Sequence, residues 1–568
     1  MTGFETVGRL GRACVISLLL AGASTLALAA PRKADPREAR IQQLEAEMQQ
    51  LIADNQKLHA EDEQLSARSQ ALEAEVEQLK QSEAGQAQAL QTQGAAIQAQ
   101  GQSIQTVEAK APAAPSVVTG MLNGRPVWTS ANGRFTMTVH SVVQLDAGGY
   151  FQGSPGPIAT DLRRSGPALG ATAANADAAH ARDLKDGTDF RRARLGIDGT
   201  AFGDWDWRLL LDFAGTGVEN TGQLYETWVQ YSGFKPFRAR VGAFPVTIGL
   251  EDSASTSGMP FMERSAVEDM ARGLAAGDTR LAGQIYGFGD HWLVSGAVTG
   301  RVIGVLNTGT AAAVPQTFGD QLGLVGRVAI SPFHGDDWMV HFGVHGSYVV
   351  RPANVSGPAA NGLTPITSYV IALSNTQQLR VDGTKLINTG NIDSRHADTI
   401  GGEFAFQKAN FLLQSEYEDF GVERSDIASS PNFSGWYVEG LWTITGEPRV
   451  YNKQTAAFDA PIPAHPFSWN DGTWGAFELG VRYADTNLNY RQGVAGSAPG
   501  PTAIRGGEEQ NVSLDLNWFP NSVIKFMLDY EHVRIDRLSP NAAAYATPTG
   551  AQIGQTYDAV AVRSQFSF

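Results

Sequence analysis

Between Phe135 and Phe568 the chain repeatedly alternates apolar and polar side chains with a period of two. Phe135, Met137, Val139, Val143 and Leu145 fall on one face of an extended segment, and Thr136, Thr138, His140, Gln144 and Asp146 on the other. Trp205, Trp207, Leu209 and Leu211 oppose Asp206, Arg208 and Asp212 in the same way, and Val512, Leu514, Leu516 and Trp518 oppose Asn511, Ser513, Asp515 and Asn517. Such alternation predicts strands with one apolar and one polar face. Sixteen such segments run from 134–151 to 555–568. Short turns such as Gly203-Asp204, Gly289-Asp290 and Pro520-Asn521-Ser522 alternate with much longer loops. An even strand number with short turns at one end and long loops at the other is the pattern of bacterial outer-membrane barrels. The expected fold is therefore an all-β transmembrane barrel of 16 antiparallel strands over residues 134–568. One connection, Glu447–Thr473, is long although parity puts it on the short-turn side, and alternation offers no account of it.

Upstream the period changes to 3.5. A heptad frame over 41–107 places Leu44, Leu51, Leu58, Leu65, Leu72 and Leu79 at successive d positions. Ile41, Met48, Val76, Leu90, Ile97 and Ile104 occupy a positions. Six consecutive d leucines predict an α-helical coiled coil preceding the barrel. Residues 108–133 read as a Pro/Ala-rich linker. Residues 1–30 read as a secretory signal peptide, with Arg9 and Arg12 before an apolar core and Ala27-Leu28-Ala29 as the cleavage site.

Composition narrows the function classes. Beyond the N-terminus no run of about 20 apolar residues exists to form a membrane helix. The single cysteine, Cys14, lies in the leader, so disulfides and thiol catalysis drop out. A net charge of -15 argues against nucleic acid as a partner, because that requires basic patches. No G-x-S-x-G, H-E-x-x-H or P-loop signature is present, and the chain is not expected to be an enzyme. His341 and His345 share a polar face, but four residues along a strand separate them by about 13 Å. No catalytic residue, cofactor or metal is expected.

Function concentrates instead in the 249–280 segment between two strands. It carries Glu251, Asp252, Glu263, Glu268, Asp269 and Asp278 against Arg264, Arg272 and Arg280. A connection this long in a sheet protein is functional or unstructured, and the expected role is to fold inward and narrow a pore. Glu251, Asp252, Glu263, Arg264, Glu268, Asp269 and Arg272 are the candidate constriction residues. Alternation puts Arg192, Arg194, Arg208, Arg238 and Arg240, together with Asp212 and Glu226, on the polar face of four neighbouring strands. These seven are the pore-lining candidates. Opposed charges across a narrow, low-dielectric opening would select among polar solutes.

The segment Phe190–Phe213 (FRRARLGIDGTAFGDWDWRLLLDF) resembles the second and third strands of the phosphate-selective porin O and P family. Gly249–Arg280, with Phe261-Met-Glu-Arg-Ser265, is similar to that family's inward third loop, and Thr445-Gly-Glu447 and Gly475-Ala-Phe-Glu478 are similar to further stretches of it. The resemblance spans residues 125–568. It implies a trimeric porin in the bacterial outer membrane, in contact with lipid, conducting anions such as phosphate. The loop's six acids against three bases depart from the arginine ladder and lysine cluster to which selectivity is attributed in that family, so no phosphate-site residue is carried over. The expected function is a passive porin for small ions and polar solutes. The alternatives are a general-diffusion porin without phosphate selectivity, or an envelope tether whose coiled coil, in the periplasm, spaces or anchors the barrel, with peptidoglycan as a contact.

Overall fold

The computed structural model describes residues 117–122, 124–152, 184–214, 222–277, 279–303, 321–354, 369–539 and 549–568, with scattered positions from 66 to 99. The chain divides into two units, Met1–Ala114 and Pro115–Phe568. In the first, every described position is helical and exposed. The signal peptide and the six d leucines lie outside the described residues.

The second unit is a closed barrel. Its first eight strands are β1 (Thr136–Gln152), β2 (Gly187–Ala201), β3 (Trp205–Asp212), β4 (Gln223–Tyr231), β5 (Phe237–Phe244), β6 (Arg280–Phe288), β7 (Trp292–Val302) and β8 (Leu322–His334). The remaining eight are β9 (Trp338–Arg351), β10 (Ile392–Lys408), β11 (Phe411–Arg424), β12 (Asn432–Thr443), β13 (Ala476–Tyr490), β14 (Ile504–Phe519), β15 (Ile524–Asp536) and β16 (Thr556–Ser567). Each pairs antiparallel with its sequence neighbours, and β16 pairs with β1 from Tyr557↔Gln152 to Ser567↔Val142, which closes the ring. Closure leaves no sheet edge within the ring. Alternation is visible in exposure: Leu324, Val328 and Ile330 on β8 and Phe342 and Val344 on β9 are exposed, whereas Val325, Arg327, Ala329, His341 and His345 between them are buried. Apolar side chains thus face the surroundings and polar ones the interior, as a lipid-embedded barrel requires.

The stretch 108–133 is not all linker. Val117–Leu122 and Arg125–Ser130 form a hairpin whose second strand pairs with the start of β1, beyond the point where β16 ends. The sequence carries the reason: Asn123-Gly124 separates two β-prone runs, and Gly124 has φ 79°. Asn-Gly is the preferred two-residue hairpin turn because it tolerates positive φ.

Three connections fill the barrel. The connection 245–279 after β5 contains two helices, α1 (Leu250–Ser253) and α2 (Ala266–Leu274). In α2, Val267, Met270, Ala271 and Leu274 recur at helical spacing and are buried, leaving Asp269, Arg272 and Gly273 on the other face. The wall makes room with small inward residues, among them Ala282, Ala297, Ala397 and Ala484. A Cβ on Gly435 of β12 would come within 2.8 Å of Val267 Cγ2, so the helix sits against bare backbone there.

The second filling element explains the connection 447–473. Arg449–Asn452 pairs with Ala457–Pro461, and this hairpin enters from the short-turn end. Ala457 and Phe458 pack with Leu250 and Phe261 of the β5–β6 connection. Arg449 donates two 2.8 Å hydrogen bonds to the Glu478 carboxylate and one of 2.9 Å to the Gly258 carbonyl. The third element lies in the connection before β10, whose Leu379, Leu386 and Ile387 are buried in the interior core.

Candidate functional site

The β5–β6 connection is tied to the wall by its acids. Glu263 accepts a bidentate pair from Arg191 (2.6 and 2.8 Å), lies 3.4 Å from Arg192 Nη2, and receives 3.1 Å from Arg563 Nη2. Burial alone would push the Glu263 carboxyl up, but Arg191, Arg192, Arg380 and Arg563 hold it well below the usual carboxylate range. Arg563 also clamps Asp146 bidentately at 2.7 Å and donates to the Met262 carbonyl. Glu251 receives 2.8 Å from Arg482 and caps the Ser265 amide and hydroxyl. Asp252 lies 2.7 Å from Arg272 and 3.3 Å from Arg264. The amides of Leu250 and Glu251 both donate to Glu416 of β11.

Of the seven wall candidates, the structure brings two to this segment. Arg192 reaches Glu263 and donates to Gln144 at 2.6 Å. Arg194 bonds Asp212 at 2.8 Å, approaches Thr256 Oγ1 at 3.4 Å, and sits 3.5 Å over the Tyr225 ring. Asp212 thereby orients Arg194. The others make their contacts with wall residues. Arg208 lies 3.3 Å from Glu226 and 3.7 Å from Asp198. Arg240 bonds Gln230 and Tyr286 and covers the Trp228 ring, and Arg238 bonds its neighbour Pro236 and covers Phe288.

Alternation missed Arg191. It lies next to Arg192 and by parity should face outward, yet it is buried against Glu263. The register explains this: Gln144 pairs with Arg192 and Leu145 with Phe190, so Arg191 is the extra residue of a β-bulge. A bulge turns two successive side chains to one face. The Arg191-Arg192 doublet is the only hint of it in the sequence. Also missed were Arg327, Arg380, Arg449, Arg482 and Arg563, each buried or half-buried and paired with a carboxylate. His341 and His345, separated along their strand, converge after all on one acceptor. Both hydrogen-bond Glu403, at 3.0 and 2.8 Å.

Two cavities flank the β5–β6 connection. One, of about 500 Å³ toward the long-loop end, is lined by Arg191, Arg192, Arg194, Arg264, Arg272, Arg380 and Lys385, with Asp212, Asp269 and Tyr225. The other, of about 650 Å³ toward the short-turn end, is lined by Arg125, His140, Asp198, Ser255, Ser257, Lys525 and Gln565 among others. Thr256 lines both. The acids of the segment are therefore unequally placed. Glu251, Asp252, Glu263 and Glu268 are buried against the wall or within the fold, while Arg264 and Arg272 share the first cavity with Asp269.

Gly249 sets the entry into α1 with φ 77°. A Cβ there would lie 2.6 Å from Glu416 Oε1 and 2.9 Å from Glu268 Oε2. Gly249→Ala is expected to lower barrel stability by about 1–3 kcal/mol through backbone strain and crowding, read from the unfolding midpoint in detergent; an unchanged midpoint would refute the strained entry.

A closed barrel with an apolar outer wall and a polar lumen narrowed by its own connections defines the general class: a channel of the bacterial outer membrane. The chain belongs to the phosphate-selective porin O and P family, whose family model matches residues 168–568. Porin O of Pseudomonas aeruginosa is 24% identical over 365 residues, covering 63% of this chain and 78% of that protein. Among solved structures, OmpT, an outer membrane protein of Vibrio cholerae, is similar at 9% identity and a TM-score of 0.42, covering 77% of this chain and 98% of that one. The outer membrane channel DcaP of Acinetobacter baumannii is similar at 12% identity and 0.39, with 78% and 99% covered. The anion-selective porin from Comamonas acidovorans is similar at 12% identity and 0.39, with 76% and 100% covered.

Proposed function

We propose that this porin conducts small anions, phosphate among them, along a path from the cationic cavity past Thr256 into the cavity at the short-turn end. The observation that carries the reading is the lining of the first cavity: seven arginine and lysine side chains against two carboxylates. Side chains of one sign in a low-dielectric cleft raise the local concentration of counter-ions. The acidic surplus of the 249–280 segment supports no opposite preference, since Glu251, Asp252 and Glu263 are paired with arginines, and the seven cations of the cavity still outnumber its two lining carboxylates together with Asp252 and Glu263. Arg194, held by Asp212 and reaching toward Thr256, is placed to meet an anion at the junction of the two cavities. Arg208, Arg238, Arg240 and Glu226 are then lumen polarity away from that junction.

The test is the reversal potential of the protein across a salt gradient in planar bilayers. Anion preference is expected, with phosphate lowering chloride conductance by competition for the cationic cavity. Cation preference would refute the reading, and an anion preference indifferent to phosphate would restrict it to general diffusion. The heptad leucines support self-association, which we read as a homotrimer with the coiled coil as its periplasmic rod.

A further inference from the structure

On the far side of the β5–β6 connection from the cationic cavity lies a buried group of opposite character. One ligand atom from each of His345, Glu403 and Glu416 lies within 4.8 Å of the others, and all three residues are buried. Glu403 is already committed. It takes a bidentate pair from Arg327 (2.8 and 2.7 Å), one bond from His341 and one from His345 Nδ1. His345 Nε2 makes its own hydrogen bond to the carboxylate of Glu418, so the imidazole donates from both nitrogens and a metal ion would displace the Nε2 proton. Carboxylate–histidine pairs of this kind orient imidazoles toward metals.

Glu268 is the independent observation. It projects from α2 with no exposed surface, and neither of its carboxylate oxygens has a hydrogen-bond partner. It is aimed into the group, because Glu268 Oε2, Glu416 Oε1 and His345 Cε1 all lie within 3.2 Å of one point beside Gly249. A buried carboxylate without a partner is costly unless a cation or a proton meets it. Arg327 neutralises Glu403, which leaves Glu268 and Glu416 beside the Cε1 edge of the imidazole and Glu418 at its Nε2.

We propose that His345 Nε2, with the carboxylates of Glu268, Glu416 and Glu418, binds one divalent transition-metal ion of the Zn²⁺ or Mn²⁺ class. One imidazole and several carboxylates suit these ions, whereas calcium prefers all-oxygen cages. Glu416 also accepts from the Leu250 and Glu251 amides and from Tyr437. The ion therefore fastens both ends of the segment, α1 through Glu416 and α2 through Glu268, to β9 and β11. This inference is independent of which solutes the pore conducts.

The test refolds the full-length chain from urea into detergent with Mn²⁺, with Zn²⁺ or with EDTA, removes excess ion, and measures metal content per chain. One ion per chain is expected, with a higher thermal midpoint than in EDTA. Glu268→Gln and His345→Gln should each lower retained metal at least about tenfold. His532→Ala, which removes an exposed histidine paired with Asp558, should leave metal content unchanged. Absence of retained metal in the wild type, or equal retention in Glu268→Gln and His345→Gln, would overturn the proposal. Should those variants fail to fold, electron spin-echo spectroscopy of the Mn²⁺-loaded wild type decides: nitrogen modulation is expected, and its absence overturns the site.

Discussion

Replacing Glu263 by glutamine should release the β5–β6 connection from the wall and widen the pore. The carboxylate sits among Arg191, Arg192 and Arg563, all buried. Removing its charge leaves clustered guanidinium groups facing one another in a medium that screens them poorly. Breaking a buried ion pair by deleting one partner costs about 3–5 kcal/mol. Arg563 also bonds the Met262 carbonyl, so that contact is disturbed with the carboxylate, whereas Arg482, which bonds the Glu263 carbonyl, is held separately by Glu251. The expected result is a several-fold rise in single-channel conductance with noisier traces, together with new trypsin cleavage at Arg264 or Arg272. Wild-type conductance with an intact protease pattern would show that the remaining anchors suffice.

The second large effect is on selectivity. Arg272→Glu with Lys385→Glu changes the lining of the first cavity from seven cations and two carboxylates to five and four. Lys385 is exposed and donates to Ser374 in the same connection, so its replacement should leave the fold intact. Each change of about 1.4 kcal/mol in the energy of a permeating ion alters its relative permeability tenfold. The double variant should therefore lose most of its anion preference, read as a shift of the reversal potential toward the cation limit. The shift should shrink as salt rises, because the charges are then screened within a shorter distance. An unchanged potential would mean that permeating ions bypass this cavity.

How much of this was legible in the sequence follows from what alternation encodes. It gives the face of each residue, so the sixteen strands and the inward arginines of β2 could be read directly. It gives no height along the pore. Arg238 and Arg240 share the wall with Arg194, yet they bond near the short-turn end rather than meeting the β5–β6 connection. Alternation also fails wherever the backbone skips a pairing, as at Arg191. Composition supplies sums without sides. Six acids against three bases set the segment apart from the family's arginine ladder, but helical spacing in α2 and the pairing of Glu251, Asp252 and Glu263 turn most of that charge away from the cationic cavity. The 449–461 hairpin was out of reach because its position depends on partners on four other elements, Arg327, His341, Glu478 and Gly258.

The bulge at Arg191 has a bearing on how the molecule is assembled. The pocket for Glu263 is made by Arg563 on the last strand, Asp146 on the first and Arg191 and Arg192 on the second. The first two strands pair directly, and the last joins them only when the ends of the sheet meet, at the β16–β1 seam. The complete pocket for Glu263 therefore exists only in the closed ring, and the docked segment clasps the seam from within. Glu263 thus ties the segment to the second and last strands at once, and through Arg563 to the first.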